Sequence, residues 1–265
     1  MLKSLGSPQN FTIYIMQKFV KIISACFPIR EENIDTDQIV PARFLKMTTR
    51  EGWGKYLFHD WRFDKNGKKK KNSLFDEFKY RGAKILVAGN NFGCGSSREH
   101  AAWAILDYGF RVVISSSFGD IFYNNCLKNG LLPLVLKQKE LEELFKIIEK
   151  NPKTEVTVDL ERQKVSVFAE VGDSAGSAAN QILLRSHKNF FRSQETLRLG
   201  VLKNFHAPHK TFEIPRSRHM HFSEHFSIDP FRKRCLLKGV DETGYILSFK
   251  KEIKKYEERY SSFAG

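Results

Sequence analysis

The sequence predicts an α/β domain with a mostly parallel sheet, flanking helices and an edge hairpin. Short apolar runs alternate with helix-like stretches over residues 83–151, and this order implies right-handed βαβ units around a largely parallel sheet. Residues 154–171 then alternate apolar and polar side chains around a turn at 161–163, which is typical of a hairpin. The 265 residues suffice for one large domain with an appendage.

The elements of the central region are predicted from their periodicity. Apolar and β-branched runs predict buried strands at 83–89, 111–117 and 131–136. Helices are predicted at 96–109, 118–130 and 138–151. The last helix is amphipathic, with one apolar side formed by Leu141, Leu144, Phe145, Ile147 and Ile148.

The regions on either side are less regular. Residues 18–29 are rich in β-branched side chains and close with a proline, which predicts one more strand, and a polar loop begins at 31. Residues 47–80 carry aromatic side chains at irregular spacing. A loop folded back on its own rings is the preferred interpretation of this segment, and a ligand cage is the alternative. A charged helix is predicted at 250–260.

Composition limits the class of protein. The apolar stretch at 11–27 is interrupted by Gln17, Lys18 and Lys21, so it falls short of the ~20 apolar residues of a bilayer span. No signal peptide is visible either, and a cytoplasmic protein is expected. The four cysteines lie far apart without a C-x-x-C pair, which argues against a disulfide framework and against a metal or iron–sulfur site held by this chain alone.

The formal net charge of +14 raises the question of a nucleic-acid partner. The cations are spread along the chain, and the one dense block, at 65–72, has the Asn, Gly and Lys content of a solvated loop. The aromatic residues that interleave with cations in single-strand binders are missing from this block. Nucleic acid is therefore an unlikely partner at this stage.

Residues 91–100, with the sequence NFGCGSSREH, directly follow a predicted buried strand. A structural interpretation makes Ser96 and Glu99 a capping box and lets Gly93 and Gly95 permit the turn. A functional interpretation is an anion site, because a Gly-rich turn that opens a helix points backbone N–H groups beyond the carboxyl edge of the sheet. Arg98 would add a bidentate partner for a carboxylate or phosphate.

The known nucleotide-binding patterns do not match this corner. No lysine follows the glycine as G-x-x-x-x-G-K-[ST] requires, and Arg98 stands where G-x-G-x-x-G has its last glycine. Cys94 is interpreted as a small residue in a tight turn rather than as a thiolate nucleophile, since no Cys–His pair is evident. A small non-nucleotide anion is the expected ligand.

Three stretches carry a family resemblance. Residues 92–134 (FGCGSSREHAAWAILDYGFRVVISSSFGDIFYNNCLKNGLLPL), with NIDTDQIVPARFL upstream and IDPFRKRCLLKGVDETG downstream, resemble the small subunits of 3-isopropylmalate dehydratase, the swivel-domain half of an aconitase-type enzyme. The resemblance covers residues 16–172 and 226 to the C-terminal helix. It implies a swivelling aconitase-type fold and a hydro-lyase subunit that acts in leucine biosynthesis on a small anionic 2-hydroxy diacid.

The resemblance also implies roles for individual residues. Ser96 would be the base, working as an alkoxide stabilised by the turn amides and a nearby cation. Ser97 and Arg98 would grip a substrate carboxylate. The Lewis acid would be a [4Fe–4S] cluster in a separate large subunit, so that subunit is the expected partner and no cofactor is expected in this chain.

The resemblance also implies roles for residues in two further stretches. Asp37 would support the active-site wall, although a helix or turn cap is an equally good interpretation. Residues Lys46, Met47 and Thr48 correspond to the loop that separates isopropylmalate from other 2-hydroxy diacids, so they are expected to face the variable side chain of the substrate.

The resemblance has gaps that define the expected domain organisation. Residues 1–15 are expected to be a loose extension, and 173–225 an inserted, weakly ordered segment between the two parts of the swivel domain, 16–172 and 226–265. The insertion holds six of the eight histidines, but their irregular spacing fits no metal-ligand pattern.

Two other functions stay open from the sequence. One keeps the chemistry and changes the substrate to homoaconitate or a citraconate-type acid. The other is a basic nucleic-acid-binding protein on a swivel fold, for which the net charge of +14 is the support.

Overall fold

The computed structural model describes residues 16–45, 51–71, 73–95, 98–170 and 218–261. The predictions for the extension at 1–15 and for most of the insertion, 173–217, lie outside the described residues. The same holds for five of the predicted site residues, which are Lys46, Met47, Thr48, Ser96 and Ser97.

Two four-stranded sheets form the framework. The strands in chain order are β1 (Lys21–Ser24), β2 (Cys26–Ile29), β3 (Ile85–Ala88), β4 (Val112–Ser115), β5 (Leu132–Val135), β6 (Glu155–Asp159), β7 (Lys164–Glu170) and β8 (Arg218–His225). One sheet is parallel with the order β2-β3-β4-β5, and the other is antiparallel with the order β1-β6-β7-β8. The predicted α/β class with a parallel sheet is confirmed. The hairpin β6-β7 is present, but it belongs to the second sheet rather than to an edge of the parallel one.

The prediction of a single strand at 18–29 is wrong. The segment forms two strands, because the chain passes from one sheet to the other at Ala25. β1 pairs antiparallel with β6 and leaves Ile23 exposed, whereas β2 pairs parallel with β3 and is buried throughout. Pro28 in β2 and Pro133 in β5 both lie on edge strands of the parallel sheet, where a residue without an N–H group interrupts no ladder.

Helices cover both the central and the C-terminal regions. In chain order they are α1 (Thr36–Ile39), α2 (His59–Arg62), α3 (Glu99–Tyr108), α4 (Asp120–Asn129), α5 (Gln138–Lys150), α6 (Pro230–Lys238), α7 (Glu242–Leu247) and α8 (Lys250–Ser261). Short 3₁₀ turns lie at 42–44, 54–56, 74–76 and 78–80. α5 buries the apolar side that its sequence predicts, and α8 is the predicted charged helix. Within the described ranges, no helix is long and apolar enough to cross a membrane.

The aromatic segment before β3 folds back on its own rings, as the preferred interpretation predicts. Ring centroids lie 5.9 Å apart for Trp53 and Tyr56, and 4.7 Å apart for Phe58 and Trp61. The described part of the cationic block, residues 65–71, follows as an exposed turn, in which the Asp64 carboxylate accepts backbone N–H groups at 2.8 and 2.9 Å. The prediction of a solvated loop is confirmed for the described lysines of this block.

The end of the predicted insertion needs a correction. Residues 218–225 form β8, which pairs with β7 over 164–170, and the Phe226 N–H group donates to the Gln163 carbonyl at 3.0 Å. Histidines interrupt this strand in the sequence, RHMHFSEH, so it has no clear apolar alternation. The boundary at 225 therefore moves to 217, and the inserted character of residues 173–217 stays a prediction.

Gly93, in the loop after β3, is the position where the fold tolerates a side chain least. Its φ is +74°, and a Cβ atom there would lie 2.5 Å from Cδ1 of Phe122. Phe122 is one of the largest fully buried side chains, on α4. The turn therefore requires glycine for both its backbone conformation and its contact with α4.

Gly93→Ala should destabilise the protein more than Gly67→Ala, which is the matched control. Gly67 has the same φ of +74° with nothing within 4 Å of a Cβ atom. Gly67→Ala therefore costs only the backbone strain of a positive φ, about 1–2 kcal/mol. Gly93→Ala adds overpacking against Phe122, another ~1–3 kcal/mol. Urea unfolding of both variants measures the difference, and equal losses of stability would contradict this packing.

Candidate active site

The loops that follow β2 and β3 are joined at the carboxyl edge of the parallel sheet. The Gly93 N–H group donates to the Ile34 carbonyl at 2.7 Å, and the Thr36 N–H group donates to the Cys94 carbonyl at 3.0 Å. Asp35 and Cys94 form an isolated parallel bridge in the same place. The predicted corner is thus held by backbone hydrogen bonds to the segment that contains Asp37.

The loop that follows β4 holds the corner from the other side. The Phe92 N–H group donates to the Ser117 carbonyl at 3.1 Å, and the Gly119 N–H group donates to the Phe92 carbonyl at 3.0 Å. The Asn91 N–H group donates to Ser117 Oγ at 2.9 Å. Because β3 lies between β2 and β4 in the sheet, its loop receives support from both neighbours.

The capping box predicted for Ser96 and Glu99 is wrong. α3 begins at Glu99 with Arg98 as its N-cap residue and without a side-chain cap, so Glu99 is the first helical residue rather than the third, as a capping box requires. Glu99 Oε1 instead accepts a long hydrogen bond of 3.4 Å from Asn129 Nδ2 on α4. Glu99 therefore links the start of α3 to α4.

A capping box does form nearby, on α1. The Asp35 side chain accepts from the Gln38 N–H group at 2.7 Å, and the Gln38 side chain accepts from the Asp35 N–H group at 2.9 Å. Asp37, for which a capping role was the alternative interpretation, is not the N-cap residue. Its Oδ1 atom accepts from the Ala42 N–H group at 3.1 Å, which fixes the carboxylate at the end of α1.

Asp37 and Arg98 form an ion pair across the corner. Arg98 Nη1 donates to Asp37 Oδ1, and the side chain of Arg98 is only 20% exposed. The Nε and Nη2 atoms of Arg98 make no hydrogen bond with the described residues. These two atoms form the edge of the guanidinium group that binds carboxylates in a bidentate fashion. The ion pair therefore orients Arg98 and leaves one edge available to an anion.

The side chains below the corner are packed and partly apolar. The His100 ring lies 4.5 Å from Trp53 and 4.7 Å from Trp103, between ring centroids. Burial lowers the pKa of His100, and the Arg98 charge lowers it further against an opposite effect of Glu99. His100 is therefore neutral at pH 7, and Arg98 is the cation that the described part of this corner presents.

The described residues do not form a metal site. Within those ranges, no group of three or more His, Cys, Asp or Glu side chains is placed to hold a metal ion. Burial raises the pKa of the thiols of Cys26, Cys126 and Cys235, and a thiol must lose its proton to bind a metal. The donor chemistry of this part of the chain does not fit an iron–sulfur cluster.

The structure brings together only some of the predicted site residues. Gly93, Gly95, Arg98 and Asp37 meet at the carboxyl edge, and Gly95 has a φ of +88° with Asp35 3.4 Å from where its Cβ atom would be. Ser96 and Ser97 join Gly95 to Arg98 in the chain and lie outside the described residues. The same is true of Lys46, Met47 and Thr48, which follow the last described residue of their segment.

Sequence reasoning missed the polar residues that hold the corner in place. Asn91 Nδ2 donates to Asn33 Oδ1 at 2.8 Å, and Ser117 Oγ donates to Asn90 Oδ1 at 2.6 Å. Asn33 and Asn91 both have positive φ values. Asn90 and Asn91 come shortly after β3, and Ser116 and Ser117 come directly after β4; these polar residues behind buried strands were the signal that could have found them.

Comparisons with known proteins identify the family to which the chain is similar. The family model described as the aconitase C-terminal domain matches residues 16–139, and a second model, described as LeuD_N, matches 142–167. A solved 3-isopropylmalate dehydratase from Methanocaldococcus jannaschii aligns with 66% of this chain and 99% of its own at 24% identity, with a TM-score of 0.40.

Curated relatives match most of the chain. The proteins named 3-isopropylmalate dehydratase small subunit from Christiangramia forsetii, Azobacteroides pseudotrichonymphae and Karelsulcia muelleri are 41%, 40% and 40% identical to it. The alignments cover 91–92% of this chain and 94–98% of these relatives. This identity over nearly the full length, together with the match to the aconitase C-terminal domain, shows that the chain belongs to the family of 3-isopropylmalate dehydratase small subunits.

Proposed function

We propose that this chain is the small subunit of a dehydratase that isomerises 2-isopropylmalate to 3-isopropylmalate in leucine biosynthesis. The observation that carries the proposal is Arg98, held by Asp37 at a Gly-rich corner with its Nε–Nη2 edge directed to no described partner. That edge suits one carboxylate of a diacid substrate. Family membership supplies the reaction class, and the corner supplies the anion-binding group.

Ser96 is proposed as the base of the reaction. As an alkoxide it would take the proton from the carbon next to the hydroxyl-bearing carbon, while the C–O bond to the hydroxyl group breaks, and it would return the proton when water adds back one carbon over. The Gly93–Gly95 turn and the positive charge of Arg98 would stabilise the alkoxide. Ser97 is proposed to donate to the same carboxylate as Arg98.

The Lewis acid is proposed to be a [4Fe–4S] cluster in a separate large subunit, since the described donors of this chain do not fit one. Such a cluster would supply the Lewis acid that the loss of hydroxide requires. This chain would position the substrate: Arg98 binds its carboxylate, and Lys46, Met47 and Thr48 face its variable side chain. The subunit is proposed to work in the cytoplasm.

The assembled enzyme tests the proposal directly. Purified alone, the chain should be colourless, bind no iron and leave 2-isopropylmalate unchanged, because it lacks the Lewis acid. Mixed anaerobically with a cluster-bearing large subunit, it should produce 3-isopropylmalate. The absorbance of the unsaturated intermediate measures the reaction.

Two outcomes would contradict this account. Activity of the isolated chain would exclude a two-subunit enzyme. Turnover of homoaconitate or citraconate in preference to 2-isopropylmalate by the assembled enzyme would assign the subunit to a related hydro-lyase instead.

Variants of the corner should separate the base from the carboxylate-binding residue. Ser96→Ala should lower kcat by about 10²- to 10⁴-fold, the usual contribution of a general base, while substrate still binds. Arg98→Lys should chiefly raise KM, by on the order of tenfold or more, because an ammonium group cannot reproduce a bidentate contact. Steady-state kinetics of the assembled enzyme measures both constants.

Two controls and one further variant accompany these substitutions. Ser227→Ala changes an exposed serine far along the chain, and Arg232→Lys changes an arginine that pairs with Glu242 away from the corner; both should leave the kinetics unchanged. Asp37→Asn should raise KM in the same direction as Arg98→Lys, because Arg98 loses its charged partner. Near-normal kcat in Ser96→Ala would remove Ser96 as the base.

A further inference from the structure

A cleft lies at the edge of the parallel sheet where the strands begin, opposite the edge that carries the candidate active site. It has a volume of about 580 Å³ and is bounded by the 3₁₀ turns at 74–80, by the start of β3 and by the end of α3. The active-site corner lies past the carboxyl ends of these strands, one strand length away, or about 13 Å for four residues. The cleft is therefore separate from the proposed dehydratase site.

The walls of the cleft are aromatic. Phe27 and Phe75 have ring centroids 4.7 Å apart, and Phe75 lies 5.8 Å from Tyr108, which in turn stacks on Phe110 at 5.5 Å. Tyr108 is 36% exposed and Phe78, at the rim, is 82% exposed. Phe27 and Phe110 are buried behind these two rings. The exposed parts of Tyr108 and Phe78 beside a cavity of this size favour a planar ring as the ligand, since aromatic rings gain from offset stacking.

The rim of the cleft carries unpaired positive charge. Its two acidic residues are already neutralised, because Asp76 pairs with Lys69 at 3.3 Å and Glu77 pairs with Lys79 at 2.7 Å. Arg81 and Lys84 also line the cleft, and their side chains make no ion pair or hydrogen bond with any described residue. Two free cations next to paired carboxylates make this an electropositive pocket, which attracts anions.

A third cation has a structural role and is not available to a ligand. The Arg62 guanidinium group lies over the rings of Phe75 and Tyr108, at 5.7 and 5.2 Å from their centroids. Its Nη1 atom also donates to the Leu57 carbonyl at 3.0 Å. Arg62 therefore holds the aromatic wall in place, so the rings are fixed before a ligand arrives, which lowers the entropy lost on binding.

We propose that this cleft binds a nucleoside monophosphate, with the base stacked on the aromatic wall and the phosphate on Arg81 and Lys84. The volume fits one ligand of that size, and a phosphate is the anion that two adjacent cations favour. The substrate class of the dehydratase site has no ring, so the two sites would not compete. Gly82 and Gly109 line the cleft with nothing within 4 Å of a Cβ position, which leaves room beside both cations.

Three ligands test the proposal on the full-length chain. Adenosine 5′-monophosphate carries both the ring and the phosphate, adenosine has only the ring, and ribose 5-phosphate has only the phosphate. We expect the monophosphate to bind at least about tenfold more tightly than either of the others, since both halves of the site contribute. Calorimetry gives the affinities, and amide shifts at Lys84 and Gly109 in NMR spectra locate the site.

Variants connect the affinity to the cleft. Exchanging Arg81→Gln and Lys84→Gln together should weaken the monophosphate about tenfold or more and leave adenosine unchanged, because only the phosphate contact is lost. Tyr108→Leu should weaken both the monophosphate and adenosine. Exchanging Lys128→Gln and Lys146→Gln together removes the same charge from exposed residues that do not line the cleft, so this double variant is the matched control and should change neither affinity.

The proposal is overturned if the monophosphate binds no better than ribose 5-phosphate, or if the Lys128→Gln and Lys146→Gln variant weakens it as much as the Arg81→Gln and Lys84→Gln variant does. Amide shifts confined to the active-site corner would also overturn it. Since all of these measurements use the chain without substrate turnover, they do not depend on the outcome for the dehydratase activity.

Discussion

The candidate active-site corner depends on backbone hydrogen bonds between the loops that follow three neighbouring parallel strands. Because β3 lies between β2 and β4, the loop after it can bond to both sides, through Gly93 to Ile34 and through Phe92 to Ser117. A turn of small residues alone would be flexible, since glycine gains freedom from its missing side chain. The cross-loop bonds instead give the Gly-rich turn a fixed shape.

The same bonds explain why Asp37 and Arg98 meet although 61 residues separate them in the sequence. Thr36, the residue directly before Asp37, donates its N–H group to the Cys94 carbonyl, and α3 begins directly after Arg98. An ion pair between partly exposed side chains is worth little by itself, so it cannot be what assembles the corner. The ion pair instead orients the Arg98 side chain. Asp37 accepts from one nitrogen of the guanidinium group, and the opposite edge of the group is left for a carboxylate.

The sequence predicted the parts of this structure that depend on local pattern. The central strands, the helices ending at Gly109 and Gly130, the apolar side of α5 and the aromatic loop are all found, because periodicity and turn residues determine them. It could not predict that the chain changes sheets at Ala25, or that β8 completes the second sheet from within the expected insertion, since strand pairing depends on distant residues. The prediction of a capping box failed because the helix begins two residues later than the Ser–Glu spacing suggests, and the Glu99 side chain bonds to α4 instead.

Amide hydrogen exchange tests most directly whether the corner is rigid before any ligand binds. If the cross-loop bonds hold the turn, the N–H groups of Phe92, Gly93 and Gly119 should exchange as slowly as those within β3, because they open only with the sheet. The N–H group of Gly67 is the reference, since it bonds to the Asp64 carbonyl at 3.0 Å in an exposed turn and should exchange fast. Exchange at Gly93 as fast as at Gly67 would contradict the claim that neighbouring loops fix the corner.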